Sequence, residues 1–289
     1  MLHYLGIIFA FIALVSWGFG DFFIQKTVRA LNSWKALFFI CTTAMVGLFP
    51  FIRGSLSSLG ARDFWLLGLA GTAMLVAAIF DFEALRKGKI AVVEPILGLE
   101  LPIVVALGVT LGGDFLTSLQ ILLITLVCIG IILAATKRRP RESIRREIVE
   151  KGVILASLAA ITMALTNFLV GVSSQGVSPL ITIWFAHSLL AVVSGLVLLL
   201  RGDLKNIFAD FKKYPGPIIG QSIFDNLAWV AFAFAATLIP ISIATTISES
   251  YIALAVFLGL FANKEKLRCH QLIGAFFAIA GIITLSYFS

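Results

Sequence analysis

The sequence predicts an all-α polytopic membrane protein: ten transmembrane helices arranged as two inverted five-helix repeats. Three observations predict it. First, a chain of 289 residues with 60% apolar content, 13% charged content and a mean hydropathy of +1.05 carries more hydrocarbon than one water-soluble core can bury. Its apolar stretches match the ~20 residues needed to cross a roughly 30 Å slab. Second, no Lys or Arg lies in the interior of ten such stretches, whereas seven of the 15 carboxylates do. Third, the chain resembles itself when displaced by 151 positions, which sets Gly108 on Gly259, Asp114 on Glu265, Leu116 on Leu267, Gln120 on Gln271 and Gly130 on Gly281. The pairs Ile131 with Ile282 and Ile132 with Ile283 extend that register.

The spans read as 4–25, 34–52, 64–85, 90–111 and 117–136 in the first half, then 152–173, 179–200, 216–236, 241–262 and 270–288 in the second. Barrel strands are excluded because stretches such as Ile121 to Ala135 and Leu189 to Leu200 are continuously apolar instead of alternating. The opening stretch has no Lys or Arg before its apolar run and continues into Trp17-Gly18-Phe19-Gly20-Asp21, so an uncleaved first span is expected. In span 4, Pro95 and Pro102 bracket Glu100 and predict a kinked or broken helix. Span 10 carries Gly274, Ala278 and Gly281, small residues that permit close approach either within the chain or to a second copy. A homodimer through helices 5 and 10 is therefore one expectation.

Residues 1–136 form the first repeat and 152–289 the second. Between them, 137–151 is a linker with seven basic residues and three acids. Five is odd, so the second copy enters the membrane from the opposite side. The charges test that parity: loops after odd-numbered spans hold 20 Lys and Arg, and loops after even-numbered spans hold only Arg53 and Arg62. The positive-inside rule then puts the odd loops and the basic linker in the cytoplasm and both termini outside, in a multi-pass protein of the cell membrane. A nucleic-acid role for the net charge of +7 is not expected, since the charge sits in loops beside the bilayer.

Ionised groups in a span are costly, so acids kept there without a base point to a site. Glu100, Asp225 and Glu249 lie near the middle of spans 4, 8 and 9 and are the first candidates. Gln221, Asp225 and Trp229 recur at four-residue spacing with Ser222 and Asn226 beside them, giving one polar stripe. Ser242, Thr245, Ser248 and Glu249 make a similar stripe in span 9. Asp21 and Glu94 stand between a site role and a structural one, as does Asn167. Asp81 and Glu83 read as neutralised by Arg86, Lys87 and Lys89. Trp229 with Tyr251, and Trp184 with His187, are candidate aromatic walls for a cation; Trp17, Trp34 and Trp65 read as interfacial belts. Protonated acids acting as interhelical glue are the competing reading of the whole set.

Three segments, Trp17-Gly-Phe-Gly-Asp-Phe-Phe, Leu85-Arg-Lys-Gly-Lys-Ile-Ala-Val-Val-Glu-Pro95 and Gly113-Asp114-x-Leu116-x-x-x-Gln120, resemble the EamA-type branch of the drug/metabolite transporter superfamily. The second copy, Lys264-Glu265-Lys266-Leu267-x-x-x-Gln271-x-x-Gly274, is closer to the usual pattern than the first, which has Leu123 where Gly is common. The resemblance implies a ten-helix carrier in which helices 1–4 and 6–9 surround a cavity and helices 5 and 10 lie outside. It also implies cytoplasmic termini, against the charge count; the expectation here follows the charges.

The sequence thus leads to a secondary transporter of small metabolites working by alternating access, with amine-bearing cationic or zwitterionic solutes favoured and H+ as a coupling ion. A flippase for a lipid-linked head group is the alternative. An embedded enzyme is disfavoured because there is no His-Glu-x-x-His, Gly-x-Ser-x-Gly or Asp-x-x-Asp, and a sensor scaffold has no use for mid-span acids. No phosphate-binding loop, cofactor motif or metal-ligand spacing is seen, and Cys41, Cys128 and Cys269 read as free thiols.

Overall fold

A computed structural model describes residues 2–87, 96–135, 151–251 and 269–288. Helices fall at each expected span: α1 (Leu2–Ala30), α2 (Ser33–Ile52), α3 (Ala61–Lys87), α4 (Glu100–Leu107), α5 (Ser118–Ala135), α6 (Lys151–Gly176), α7 (Pro179–Leu200), α8 (Pro215–Leu238), α9 (Ile241–Ser248) and α10 (Cys269–Phe288). A short surface helix, Ile207–Lys213, precedes α8. Six of these, α1–α3 and α6–α8, are each long and apolar enough to cross a bilayer, and α4, α5 and α10 are shorter apolar helices.

Local chemistry sets the ends. Asn32 caps α2 by accepting from the backbone N–H of Lys35 at 2.9 Å. Pro179 and Pro215 open α7 and α8, where a missing N–H costs nothing. At the end of α4 the chain widens into a π-helical turn, Gly108–Gly112, and stops at Gly113, whose φ of 75° is left-handed. Helix α1 runs beyond the expected span because Gln25, Lys26 and Arg29 continue it past the apolar part.

Two helices break in repeat register. The chain turns at residues 98–99 just before α4 and at 249–250 just after Ser248, positions 151 apart. In the first, Pro102 has no N–H for the carbonyl of Gly98, and Leu101 reaches that carbonyl instead at 3.4 Å. In the second, the hydroxyls of Thr245, Thr246, Ser248 and Ser250 bond carbonyls four residues back, at 2.8, 2.6, 2.9 and 2.6 Å, and hydroxyls that engage a helix's own carbonyls bend it. Different residues produce the same interruption.

The packing is two-fold. The most extensive interfaces join α1 to α8 and its repeat equivalent α6 to α3, then α5 to α10 and α2 to α7; α4 meets α9. With five helices in each copy, that relation places the axis in the membrane plane, the inverted arrangement expected. The peripheral pair α5–α10 uses its small residues inside the chain: a methyl group at Gly130 would lie 2.6 Å from the Ala278 nitrogen, and one at Gly281 2.7 Å from Val127 Cγ2. That stripe is occupied within one chain and lends a homodimer no support.

Connections α1–α2 and α7–α8 share one face, the odd-loop face, and α2–α3, α4–α5, α6–α7 and α8–α9 share the other. Around the α8–α9 turn the even-loop face is tightly closed. Asp114 Oδ2 accepts from the N–H and the Oγ of Ser242, at 2.8 and 2.6 Å, capping the start of α9. A methyl group at Gly6 would lie 2.8 Å from Ile239 Cγ2, and one at Gly171 2.8 Å from Ile241 Cδ1. The α8–α9 turn is therefore wedged between α1, α6 and the end of α4.

Candidate functional site

From the level of the helix breaks toward the odd-loop face, seven helices and the segment that follows α9 enclose a cavity lined by no described residue of α5 or α10. Five carboxylates line it: Asp21 of α1, Asp81 of α3, Glu100 of α4, Asp225 of α8 and Glu249 beyond α9. Asn167 of α6 and His187 of α7 join them, with Trp17, Trp229 and Tyr251 as aromatic wall and Leu37, Ile40 and Cys41 of α2 as apolar wall. No Lys or Arg is among the described residues that line it. The space leaves about 60 Å³ for the centres of water-sized molecules, room for roughly four waters.

Glu100 and Glu249 sit at the two breaks and meet there. Their carboxyls are close enough to interact, and one can donate to the other only while it holds a proton, because an ionised carboxylate can only accept. Asn167 Nδ2 donates to Glu249 Oε1 at 3.1 Å and fixes that side chain. His187 Nδ1 lies 3.0 Å from the carbonyl of Ile183, so Nδ1 carries the hydrogen and Nε2 turns toward Asp225 Oδ2 at 3.9 Å. That gap is too long for a direct hydrogen bond. Trp17 meets Trp229 edge-on at 5.2 Å between ring centroids, and Tyr251 lies 6.3 Å from Trp17.

Of the residues singled out in the sequence, Glu100, Asp225, Glu249, Asp21, His187, Trp229 and Tyr251 come together on this one cavity. Asn226 does not: its Nδ2 donates to the carbonyls of Ile40 and Ser222 at 3.0 and 2.7 Å, which ties α8 to α2. Gln221, a turn below Asp225 on the same stripe, donates to the Ala36 carbonyl at 3.3 Å and lies off the cavity. Glu94 and Pro95 fall outside the described residues, as does the linker 137–150. Trp184 is a packing residue, its Nε1 donating to the Met45 carbonyl at 2.9 Å.

Two lining residues depart from the sequence reading. Trp17 is buried rather than interfacial, because α1 extends to Ala30 and leaves it near mid-helix. Asp81 makes no ion pair with Arg86 or Lys87, the described bases that follow it. Glu83 takes them, bonding Arg86 at 2.9 and 2.7 Å and Lys87 at 2.7 Å, with Ser33 donating to it at 2.8 Å. Residues two apart on a helix point about 200° apart, so when Glu83 faces the bases Asp81 faces the cavity. Among the described residues Asp81 Oδ1 and Asn167 Oδ1 are buried with no hydrogen-bond partner. Helical spacing was the signal: Met74, Ala78 and Asp81 lie on one face and all line the cavity.

The comparisons agree with this architecture. A family model described as the EamA-like transporter family matches residues 4–136 and again 150–287. No curated protein sequence matches the chain. Among solved structures, 28 chains match. One, described only as a crystal structure of a protein, superposes with a TM-score of 0.70 over 98% of this chain and 98% of its own, at 13% identity. Identity that low speaks to fold alone. The two family matches cover both halves of the chain, and with its apolar helices they establish a multi-pass integral membrane protein that belongs to the EamA-like transporter family, whose members are membrane transporters of small molecules.

Proposed function

We propose that the protein is a secondary carrier for small amine-bearing solutes, cationic or zwitterionic, that moves them by alternating access through the acidic cavity. One observation carries the reading: five carboxylates converge on one cavity, with no Lys or Arg among the described residues that line it. Charge in a low-dielectric interior is tolerated only when compensated, and a solute ammonium brings a cation to it. Protons compensate when the solute is absent. In this reading the neighbouring Glu100 and Glu249 carboxyls share one, and an arriving cation releases it, which couples solute movement to H+ in the opposite direction.

The two breaks give the carrier its pivots. Rocking of one repeat-derived bundle against the other exposes the cavity to either face, and repeat-related discontinuous helices at mid-depth are where other carriers place their sites. The odd-loop face, with 20 of the 22 Lys and Arg, is the cytoplasmic one, and both termini lie outside. A reporter that fluoresces only in the cytoplasm, fused to the C-terminus, is expected to stay dark; a bright fusion reverses the orientation.

The direct test is uptake by purified protein in liposomes of matched amines, carboxylic acids and neutral amides, with internal pH recorded. Amines alone are expected to enter and to move protons the other way. Uptake of acids or amides in preference to amines contradicts the reading.

A further inference from the structure

Nine buried side-chain atoms of the described residues have no hydrogen-bond partner, and two of them, Asp81 Oδ1 and Asn167 Oδ1, line the cavity. Both residues are more than nine-tenths buried, and both oxygens can accept. Buried polar atoms are overwhelmingly paired, and one left open at a cavity wall is a place where an arriving donor can bind. Nothing nearby on α3 can serve, since Glu83 holds Arg86 and Lys87 on the other side of the helix. The visiting group must therefore bring N–H or O–H donors, and it enters a cavity that already carries acid.

The aromatic wall pulls toward a different class of ligand. Trp17, Trp229 and Tyr251 would attract any organic cation, including a quaternary ammonium, which has no hydrogen to donate. The open acceptors decide between the two. A site built around hydrogen bonds rejects an analogue that lacks the donor, because its buried groups are then left unpaired in the complex as well.

Resting on the carrier reading above, we propose that Asp81 is a specificity-determining residue that, with Asn167 Oδ1, receives the N–H donors of the solute and restricts the carrier to ammonium groups that retain hydrogen on nitrogen. Full-length protein in liposomes is given radiolabelled methylammonium, ethanolamine and phenethylamine, and each is competed with its own N-trimethyl counterpart. Wild-type protein is expected to take up one or more of the primary amines. Its trimethyl partner should compete at least about 10-fold more weakly, the loss expected from one or two unpaired buried acceptors. In Asp81→Asn the charge is gone and the new amide can offer its own hydrogens, so that discrimination should fall several-fold; Asp81→Glu should retain part of it.

A preference that survives unchanged in Asp81→Asn, or trimethyl partners that compete as well as the primary amines in wild type, overturns this proposal and leaves the amine carrier standing. Absence of uptake for all three amines in wild-type protein overturns the carrier reading itself, and this proposal with it. The wild-type competition needs no variant, so a misfolded Asp81→Asn does not shelter the proposal.

Discussion

At the even-loop face Asp114 accepts both hydrogen bonds offered by Ser242, and Ile239 and Ile241 fill the notches left by Gly6 and Gly171. At mid-depth, by contrast, Asp81 and Asn167 keep buried oxygens open, and five carboxyls gather with no Lys or Arg among the described lining residues. Around Asp114 and the α8–α9 turn the chain pairs its polar groups and fills its notches; the cavity wall does neither. An unpaired polar group in a membrane is costly, and on the function proposed above the cavity keeps its own open because a solute completes them.

That contrast can be broken most severely at Gly108. A methyl group there would meet Ser242 Oγ and lie 2.6 Å from Asp114 Oδ2. Gly108→Val should therefore cost about 1–3 kcal/mol through overpacking, seen as a lower Tm in detergent. Asp225→Asn, which changes charge and not volume inside the cavity, should leave Tm nearly where it was. Equal losses of Tm in the two variants would mean that the Asp225 carboxyl holds the fold as much as the seal does.

A smaller effect is expected at Asp114→Ala. Removing the cap of α9 should cost about 1 kcal/mol, and hydrogen exchange should speed up over residues 241–246 while α2 and α3 keep their protection. Unchanged exchange would show that the isoleucine wedges close this face without the aspartate.

The sequence disclosed what depends on periodicity and on the cost of charge in hydrocarbon. The displacement by 151 residues reappears as two helix breaks at 98–99 and 249–250, and the mid-span position of Glu100, Asp225 and Glu249 foretells their meeting on one cavity. It hid what depends on direction around a helix or on distant partners. Asp81 was masked by three bases close in sequence, although only Glu83 faces those within the described residues. Trp17 was misjudged because hydropathy marks the apolar part of a helix and not its true end at Ala30. Asn226 shares a stripe with Asp225 but turns to the Ile40 carbonyl on α2. The partner of Asp114 lies 128 residues away, beyond any local pattern.

The central claim, that the buried acids are there for transport and not for packing, is tested most directly at Glu249. Glu249→Gln keeps the volume of the side chain and much of its capacity to bond Asn167 and Glu100, but it neither ionises nor releases a proton. Amine uptake by wild type and Glu249→Gln is measured in liposomes across a pH series, with Tm recorded for both. The account predicts uptake lower by about 10-fold or more, or stripped of its pH dependence, at an essentially unchanged Tm. Wild-type uptake with a wild-type pH profile, or a Tm that collapses in proportion to the lost uptake, would make these carboxyls interhelical glue and contradict it.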